Sequence, residues 1–415
     1  MTPPISVLVP SYNEEETIVE NVRALLTIDY PSYEIIVIND GSRDRTMKRL
    51  IEGFDLLPTD MIYRPILKTE SVNGFFTNPD ITNLIVVDKD NSGKADSLNV
   101  GINLAKNPYF CCIDADTVLE NDALLRLMKH VIESRELIVA CGGILRIANG
   151  CSFKQGRIQN IALPKDILSN LQIVEYLRAF LFGRASWSAL NGLLIIAGAF
   201  SLFHKKSVQD VGGYSLNTLS EDMELVVRLH RYMREKGITY RIVFVSDPIG
   251  WTEVPTSIEM LAKQRMRWHM GLAESLFMNI RMLLNPGYGV IGLFSMPYQL
   301  FIELFGPLIE FIGYIIVIVS YLTGVIDSRF FMLFLSLAIL YSIFLSAGAV
   351  LLEEITYRRY PRWTDLIRLL LISVAENFGY RQLVSWWRFK ALIYRSFSKG
   401  KWQAIKKKGF KISRD

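Results

Sequence analysis

The sequence predicts an α/β domain with a mainly parallel sheet, followed by transmembrane helices near the C-terminus. Three observations carry that expectation. Strand-like apolar runs alternate with helical runs from residue 5 to about residue 147, the pattern of βαβ units with helices on both faces of a sheet. Most of the hydrophobic excess lies between residues 290 and 384. The 415 residues are 50% hydrophobic with a mean hydropathy of +0.24, too apolar for an ordinary soluble enzyme and too polar for a membrane bundle alone.

Composition also excludes several classes. The apolar content is ample for a packed core, so disorder is ruled out. A net charge of +5 does not supply the strongly basic face of a nucleic-acid binder. Cys111, Cys112, Cys141 and Cys151 form no CxxC pair and read as buried reduced thiols. The four histidines are dispersed, with no HExxH pair. Met1 to Pro4 lead straight into Ile5–Val9 without a basic n-region, so no signal peptide is expected.

The first strand, Ile5–Val9, precedes a helix at Glu14–Leu26. Glu34–Ile38 precedes a helix near Asp44–Gly53, and Leu84–Val87 one near Ala95–Ala105. Tyr109–Ile113 precedes a helix near Asn121–Glu133, and Leu137–Ile147 returns to strand. The strands end in polar clusters: Pro10 to Asn13, Asn39 to Ser42, Asp88, and Asp114 to Asp116. Ligands of such sheets bind at the carboxyl ends of strands. No GxGxxG follows the first strand, and Gly93-Lys94 is followed by alanine, so neither the dinucleotide nor the P-loop fingerprint is present. The apolar run Trp187–Phe203 is short and contains Asn191, Gly192 and Gly198. A crossing there would put the acidic motifs on opposite sides of a membrane. It reads as buried core or an interfacial surface.

Residues 299–323 and 330–352 are each long enough to cross a bilayer. Glu303 and Glu310 place the opening turns of the first, 290–306, at the interface. A weaker third segment, 366–384, contains Arg368, Glu376 and Arg381, which are expensive in lipid. The tail 385–415 carries ten Lys/Arg, and the connector 353–365 carries Arg358, Arg359 and Arg362. Both are expected on the cytosolic side. Two spans satisfy this, with the third segment re-entrant or interfacial. The expected division is a domain over 1–285, a membrane region over 286–384 and a basic tail over 385–415.

Asp114 and Asp116 close an apolar strand. Two carboxylates one residue apart on an extended chain share a side, which suits a hard divalent cation. Asp116-Thr117 reads equally as a cap or turn. Four further elements follow or precede in order: Asp40 in Asn39-Asp-Gly-Ser42, Lys94 and Asp96 in Gly93-Lys-Ala-Asp96, Glu221-Asp222 after Ser220, and Gln264-Arg-Met-Arg-Trp268. Ser220 to Leu225 also reads as a capped helix start with acidic first-turn residues. Lys263, Arg265 and Arg267 also read as a basic helix face for lipid headgroups.

Together, from Ile5 to about Gly271, these motifs resemble the processive members of glycosyltransferase family 2, such as cellulose, hyaluronan, chitin-oligosaccharide and poly-N-acetylglucosamine synthases. The resemblance implies a GT-A (Rossmann-like) nucleotide-sugar domain ahead of the membrane helices. It implies that Asp40 holds a uracil base, with Pro10 and Asn13 to Glu15 lining the same pocket. Lys94 would lie near the phosphates with Asp96 as its neighbour. Asp114 would sit nearer the nucleotide and Asp116 on Mg²⁺ or Mn²⁺. Asp222 would be the general base, with Ser220 standing where the family has threonine, and Glu221 beside it on the acceptor side. Arg267 would meet the diphosphate, with Gln264 and Trp268 on the acceptor.

The implied activity is that of a membrane-bound inverting transferase with a UDP-sugar donor, foremost UDP-N-acetylglucosamine, making a β-linked polysaccharide. The implied location is the cell membrane, multi-pass, with the catalytic domain cytosolic and a growing glycan or lipid as acceptor. The alternative is transfer of a single sugar to a polyprenyl-phosphate lipid, against which Gln264–Trp268 counts. The domain starts at about Ile5, where the family has spans ahead of it, so a partner subunit or homo-oligomer is expected to complete any channel. A non-catalytic sugar-nucleotide sensor is disfavoured by Asp116, Asp222 and Arg267. A transporter is disfavoured because the acidic clusters precede the spans.

Overall fold

The computed structural model describes residues 2–154, 157–360 and 362–397. The elements, in chain order, are β1 (Ile5–Ser11), α1 (Ile18–Leu26), β2 (Tyr33–Asp40), α2 (Thr46–Phe54), β3 (Leu57–Thr59), β4 (Val72–Asn78), β5 (Ile81–Lys89), α3 (Lys94–Leu104), β6 (Tyr109–Ile113) and β7 (Val118–Leu119). Next come α4 (Ala123–Glu133), β8 (Leu137–Ile147), β9 (Ser152–Lys154), β10 (Arg157–Asn160), α5 (Ile167–Leu177), a π-helical turn at Arg178–Arg184, and α6 (Ala185–Ala189). They are followed by β11 (Phe200–His204), α7 (Lys205–Asp210), α8 (Glu221–Glu235), β12 (Tyr240–Thr252) and α9 (Ile258–Met278). The C-terminal helices are α10 (Gly306–Leu322), α11 (Ser328–Thr356), α12 (Trp363–Ala375) and α13 (Tyr380–Phe397).

One large sheet runs in the order β3-β4-β5-β2-β1-β6-β11-β8-β12-β7. Its centre is parallel, with β1 paired to β2 and to β6, and β2 paired to β5. The expectation of a mainly parallel sheet is corrected at the flanks. β11 runs antiparallel between β6 and β8, β4 runs antiparallel to β3 and β5, and β7 antiparallel to β12. β11 comes from the apolar run Trp187–Phe203, which is core and not a membrane crossing. Leu193, Leu194, Ile196 and Phe200 are all buried.

The alternation of side chains along the central strands explains both faces. Val7, Val9, Ile35, Val37, Cys111 and Ile113 belong to one apolar cluster, while Leu8, Ile36, Ile38, Phe110 and Cys112 belong to another on the opposite face. A period of two with both sets buried is what a sheet covered on both sides requires. α1 and α4 contribute to the first cluster, α3 and α8 to the second. A third cluster joins α8 and α9 to the segment before α10, through Met223, Val227, Leu276, Met282, Ile291 and Leu304. It spans residue 285, so the α/β part and the C-terminal helices share a packed apolar layer.

The C-terminal segments differ from expectation in two places. The first span, expected as 299–323, is broken: Ile291–Leu304 and Gly306–Leu322 meet at a 48° bend. Pro307 opens α10, where its missing N–H and fixed φ favour a fresh helix start. The third segment, expected as 366–384, is two helices, α12 and α13, separated at 376–379 by a turn in which Gly379 has φ +105°. Its charges lie against protein: Glu376 pairs with Arg178 at 2.5 Å. Among the described residues, α11 alone is long and apolar enough to cross a membrane, and the bent pair would be a second if counted as one span. Residues 385–397 of the expected basic tail form part of α13, and 398–415 lie outside the described residues.

α11 ends on the large sheet. Arg146 of β8 and Glu353 near the end of α11, both buried, pair at 2.6 Å. Tyr357 lies 5.6 Å from the same guanidinium, and Arg359 meets Glu120 at 2.9 Å. Removing one member of a buried pair strands the other charge, at a cost of about 3–5 kcal/mol, whereas replacing both by apolar groups costs far less. Arg146→Met should therefore lower the unfolding midpoint in detergent strongly, and Arg146→Met with Glu353→Leu should recover most of the loss. Equal losses for the single and double variants would show that the pair does not hold α11.

Candidate active site

The central strands create the site. β1 has β2 on one side and β6 on the other, and β2 is flanked in turn by β5. Connections leave β1 and β6 in opposite directions, and a crevice opens at their carboxyl ends, where open α/β sheets bind ligands. The loops there are braced against one another. Asn13, at φ 57°, accepts from Arg43 N at 2.8 Å and donates its own N–H to Ser42 Oγ at 3.0 Å. Glu15 accepts from Arg45 N at 3.0 Å. Pro10 is the penultimate residue of β1, in register with Ile38. Gly41 has φ +61°, and a Cβ there would meet Asn91 N at 2.7 Å, so only glycine lets the loops after β2 and β5 touch.

Asp40 and Asp96 hold this layer from beneath. The Asp40 carboxylate accepts from Lys89 Nζ at 2.7 Å, Ser92 N at 3.0 Å, Gly93 N at 2.8 Å and Asn91 Nδ2 at 3.0 Å. Asp96 is fully buried and accepts from Ser92 Oγ at 2.8 Å and Glu70 N at 3.0 Å. Both carboxylates close on Lys89, itself fully buried. Lys89 was not singled out from the sequence, because its partners are brought together only by pairing of β2 with β5.

The expected extended Asp114–Asp116 pair is a turn instead. β6 ends at Ile113, and Thr117 N donates to Asp114 O at 2.9 Å. The two carboxylates therefore do not share a strand face: Asp116 is buried at 4% exposure, while the Asp114 side chain is 29% exposed. Asp114 receives Lys94 Nζ at 2.5 Å. Lys94, the first residue of α3, also lies 3.6 Å from Glu221 and donates to Gly198 O at 3.3 Å. Burial works against the Lys94 charge, but Asp114, Glu221 and Asp222 outweigh it and hold the ammonium above its ordinary range.

Ser220 is the N-cap of α8 and Asp222 lies in the first turn. The helix-start reading holds, although Ser220 makes no side-chain capping bond, and the Asp222 carboxylate lies beside Gly198 and Lys94. Asp222 accepts from Ser220 Oγ at 2.9 Å and from Gly198 N at 3.0 Å. Gly198 thus bonds Asp222 through its N–H and Lys94 through its carbonyl. A Cβ there would lie 3.1 Å from Asp222 Oδ2 and 3.3 Å from Lys94 Nζ. Burial pushes the Glu221 carboxyl up, with Lys94 opposing and Asp222 adding to the rise.

Gln264, Arg267 and Trp268 lie within two turns of α9, at spacings of three and four that share a helix face. Arg267 is half-buried and acts electrostatically on Glu221. Gln264 Oε1 is buried without a hydrogen bond in the structure. Trp268 remains 39% exposed. The helix passes so close to the α8 start that a Cβ on Gly271 would sit 2.4 Å from that of Ser220. The lipid-facing reading of the basic residues does not hold for Arg265, which is buried against Glu175 at 2.9 Å.

Sequence reasoning missed Arg184. It closes the π-helical turn, a feature frequent at functional sites. Its guanidinium lies 4.1 Å from the Phe180 ring centre, and its buried Nη1 has no hydrogen bond. Burial pulls it down to about 10, with Asp222 opposing, so it stays cationic at neutral pH. Nothing in its local sequence marks it.

The chain matches the family described as "Glycosyl transferase family group 2" over residues 109–346, and "Glycosyl transferase family 2" over residues 6–65. A poly-beta-1,6-N-acetyl-D-glucosamine synthase of Staphylococcus epidermidis is 31% identical over 273 residues, covering 66% of this chain and 55% of the relative. The synthase of the same name from Staphylococcus aureus strain COL is 32% identical over 275 residues, with the same shares. The chain spans about half the length of the curated relatives it matches. Among solved structures, the mannosyltransferase PcManGT of Pyrobaculum calidifontis, in complex with GDP-Man and Mn²⁺, superposes with a TM-score of 0.57 at 18% identity. The match covers 91% of this chain and 88% of that one. That likeness is one of fold, a GT-A-like mixed sheet.

The Lys94 cluster makes a pH-dependent prediction. A carboxyl raised in the folded state contributes stability that is full at acid pH and lost as pH rises towards its folded value. Lys94 limits that loss for Glu221. Lys94→Met should lower thermal stability by about 1–3 kcal/mol at pH ~7.5, and clearly less at pH ~5, where the raised Glu221 carboxyl takes up a proton. A loss independent of pH would exclude this role.

Proposed function

We propose that this chain, which belongs to glycosyltransferase family 2, builds a β-linked polysaccharide from a UDP-sugar by a single inverting displacement. The observation that carries the mechanism is Gly198. Its two backbone groups hold Asp222 and Lys94 on either side of one residue, so a base and a cation for the leaving group share one fixed frame. Asp222 takes the proton from the acceptor hydroxyl. Lys94 and Arg267 neutralise charge developing on the departing diphosphate. No second carboxylate is needed as nucleophile.

Asp40, Pro10, Asn13 and Glu15 line the base end of the donor pocket, and Asp114 its phosphate end. Asp96 supports that pocket from below. Gln264, Trp268 and Glu221 form the acceptor side. UDP-N-acetylglucosamine is the proposed donor, supported by the names of the two staphylococcal relatives.

Of the two carboxylates that the turn separates, Asp116 would hold Mg²⁺ or Mn²⁺, while Asp114 is engaged by Lys94. Among the described residues no group of three or more His, Cys, Asp or Glu converges on one point. A metal here would take its remaining ligands from the diphosphate and water, as Mg²⁺ commonly does, and would supply further charge neutralisation there.

The membrane arrangement is also proposed. α10 starts from the layer packed on α9, and α11 returns to β8 through Arg146–Glu353, so both ends of the hairpin lie on the catalytic side. That side is the cytosol of a cell-membrane protein, and the turn at 323–327 is across the bilayer. Two helices do not enclose a passage, so a partner subunit or a second copy completes any channel. A cysteine introduced at Gly324 should react with an impermeant maleimide from outside intact cells, and one at Arg358 should not. The four native cysteines are buried and add no background. Labelling of both sites would exclude the hairpin.

The deciding experiment is a donor panel with product sizing. The purified protein in detergent with Mg²⁺ or Mn²⁺ should release UDP from UDP-N-acetylglucosamine and yield a ladder of lengths. Asp222→Asn should lower turnover by about 100-fold or more while UDP binding changes little. Turnover retained by Asp222→Asn would remove it as base. A single sugar added to lipid would replace the polymer with the polyprenyl-phosphate reaction.

A further inference from the structure

Arg265 lies within the Gln264–Trp268 segment but faces away from the catalytic groups. Its guanidinium is 4% exposed and pairs with Glu175 of α5 at 2.9 Å. The same Glu175 oxygen accepts from the Tyr380 hydroxyl of α13 at 2.7 Å. The guanidinium also lies over the Trp268 indole, 4.5 Å from the ring centre. A buried arginine deprived of its carboxylate is strongly penalised, so the pair with Glu175 fixes where the guanidinium plane sits. That plane, stacked on the indole, in turn limits how the ring can turn.

α13 reaches α9 a second time. Arg388 donates from Nε to His269 Nδ1 at 3.2 Å and pairs with Glu303 at 3.0 Å. Tyr380 and Arg388 therefore bracket Trp268 along α9, one acting through Arg265 and the other on the next residue. None of these groups touches Asp222, Lys94 or Asp114.

We propose that Arg265, Glu175 and Tyr380 are positioning residues that set the attitude of Trp268, so that helix α13 holds the acceptor-side tryptophan in place. The proposal rests on the reading that Trp268 meets the acceptor. It gives α13 a role in acceptor binding that is separate from attachment of the chain to a membrane.

Tyr380→Phe is the sparing test, since it removes one hydroxyl and keeps the packed ring. With a β-1,6-linked N-acetylglucosamine oligosaccharide as acceptor, it should raise the acceptor KM by about three- to ten-fold, the range of one lost hydrogen bond. kcat and the KM for UDP-N-acetylglucosamine should stay within about two-fold of wild type. In a Trp268→Ala background the same change should add nothing. An additive effect there, or an equal rise in donor KM, would reduce Tyr380 to a structural contact.

A ligand-free measurement separates this proposal from the acceptor reading. The fluorescence of Trp268 is taken as the difference between each protein and its Trp268→Phe counterpart. Acrylamide quenching of that difference should increase with Tyr380→Phe and with Glu175→Gln. Unchanged quenching overturns the positioning chain. If Trp268→Ala leaves the acceptor KM unmoved, or the oligosaccharide does not stimulate the wild type, the acceptor reading fails, and quenching alone decides whether α13 holds the ring.

Discussion

The chemistry of this chain depends on β1 having β2 on one side and β6 on the other. The helices that follow the central strands cover the two faces of the sheet, and the connections leave β1 and β6 in opposite directions. They separate at the carboxyl ends of the strands, and polar groups from four strand ends are left facing one crevice. The residues assigned to the donor come from the ends of β1, β2 and β6, the loops that follow them and α3, with Arg267 added from α9. The loops lock one another: Asn13 and Glu15 hold residues 42–45, and Asp40 holds 89–93. This lacing gives a preformed frame in which a nucleotide need not order its own site.

Asp222 and Lys94 reach that frame from outside the central strands, and Gly198 joins them. A backbone amide and carbonyl cannot rotate away as a side chain can. The spacing of Asp222 and Lys94 is therefore set by one residue, at which a Cβ would be tight against both side chains. Near-fixed donors and charges are what make electrostatic stabilisation effective, because little reorganisation remains when charge develops. The close approach of Gly271 to Ser220 extends the same rigidity to α9, so acceptor and donor sides are registered through backbone contacts.

Much of this was legible in the sequence where period and composition act locally. The strands at Ile5–Val9, Glu34–Ile38, Leu84–Val87, Tyr109–Ile113 and Leu137–Ile147 were placed because alternating buried faces leave an apolar run with polar ends, whereas β3, β4 and β7, short or half-exposed, were not. The acidic and QxxRW positions were placed because their order is distinctive. What escaped depends on contacts far apart in the chain. Lys89 gains its meaning from Asp40 across a strand pair. β11 was hidden because both its faces are covered, so its run resembles any buried segment. The Asp114–Asp116 turn departs from the extended reading because Thr117 N closes back on Asp114, a choice the residue types leave open.

The C-terminal helices pose a different problem, which explains the buried charges. An apolar helix face is satisfied equally by lipid and by protein, so hydrophobic burial does not decide whether α10 to α13 dock on the enzyme. Directional contacts can decide it. Arg146–Glu353, Arg178–Glu376 and Arg265–Glu175 all tie the catalytic part to, or beneath, these helices. Each costs desolvation and adds little net stability compared with apolar packing. Each also has a single geometry in which both charges are satisfied, and lipid cannot supply it. The ion pairs thus select one docking arrangement among many of similar apolar area. Through Arg265 and Tyr380, that selection extends to Trp268, the residue proposed to meet the acceptor.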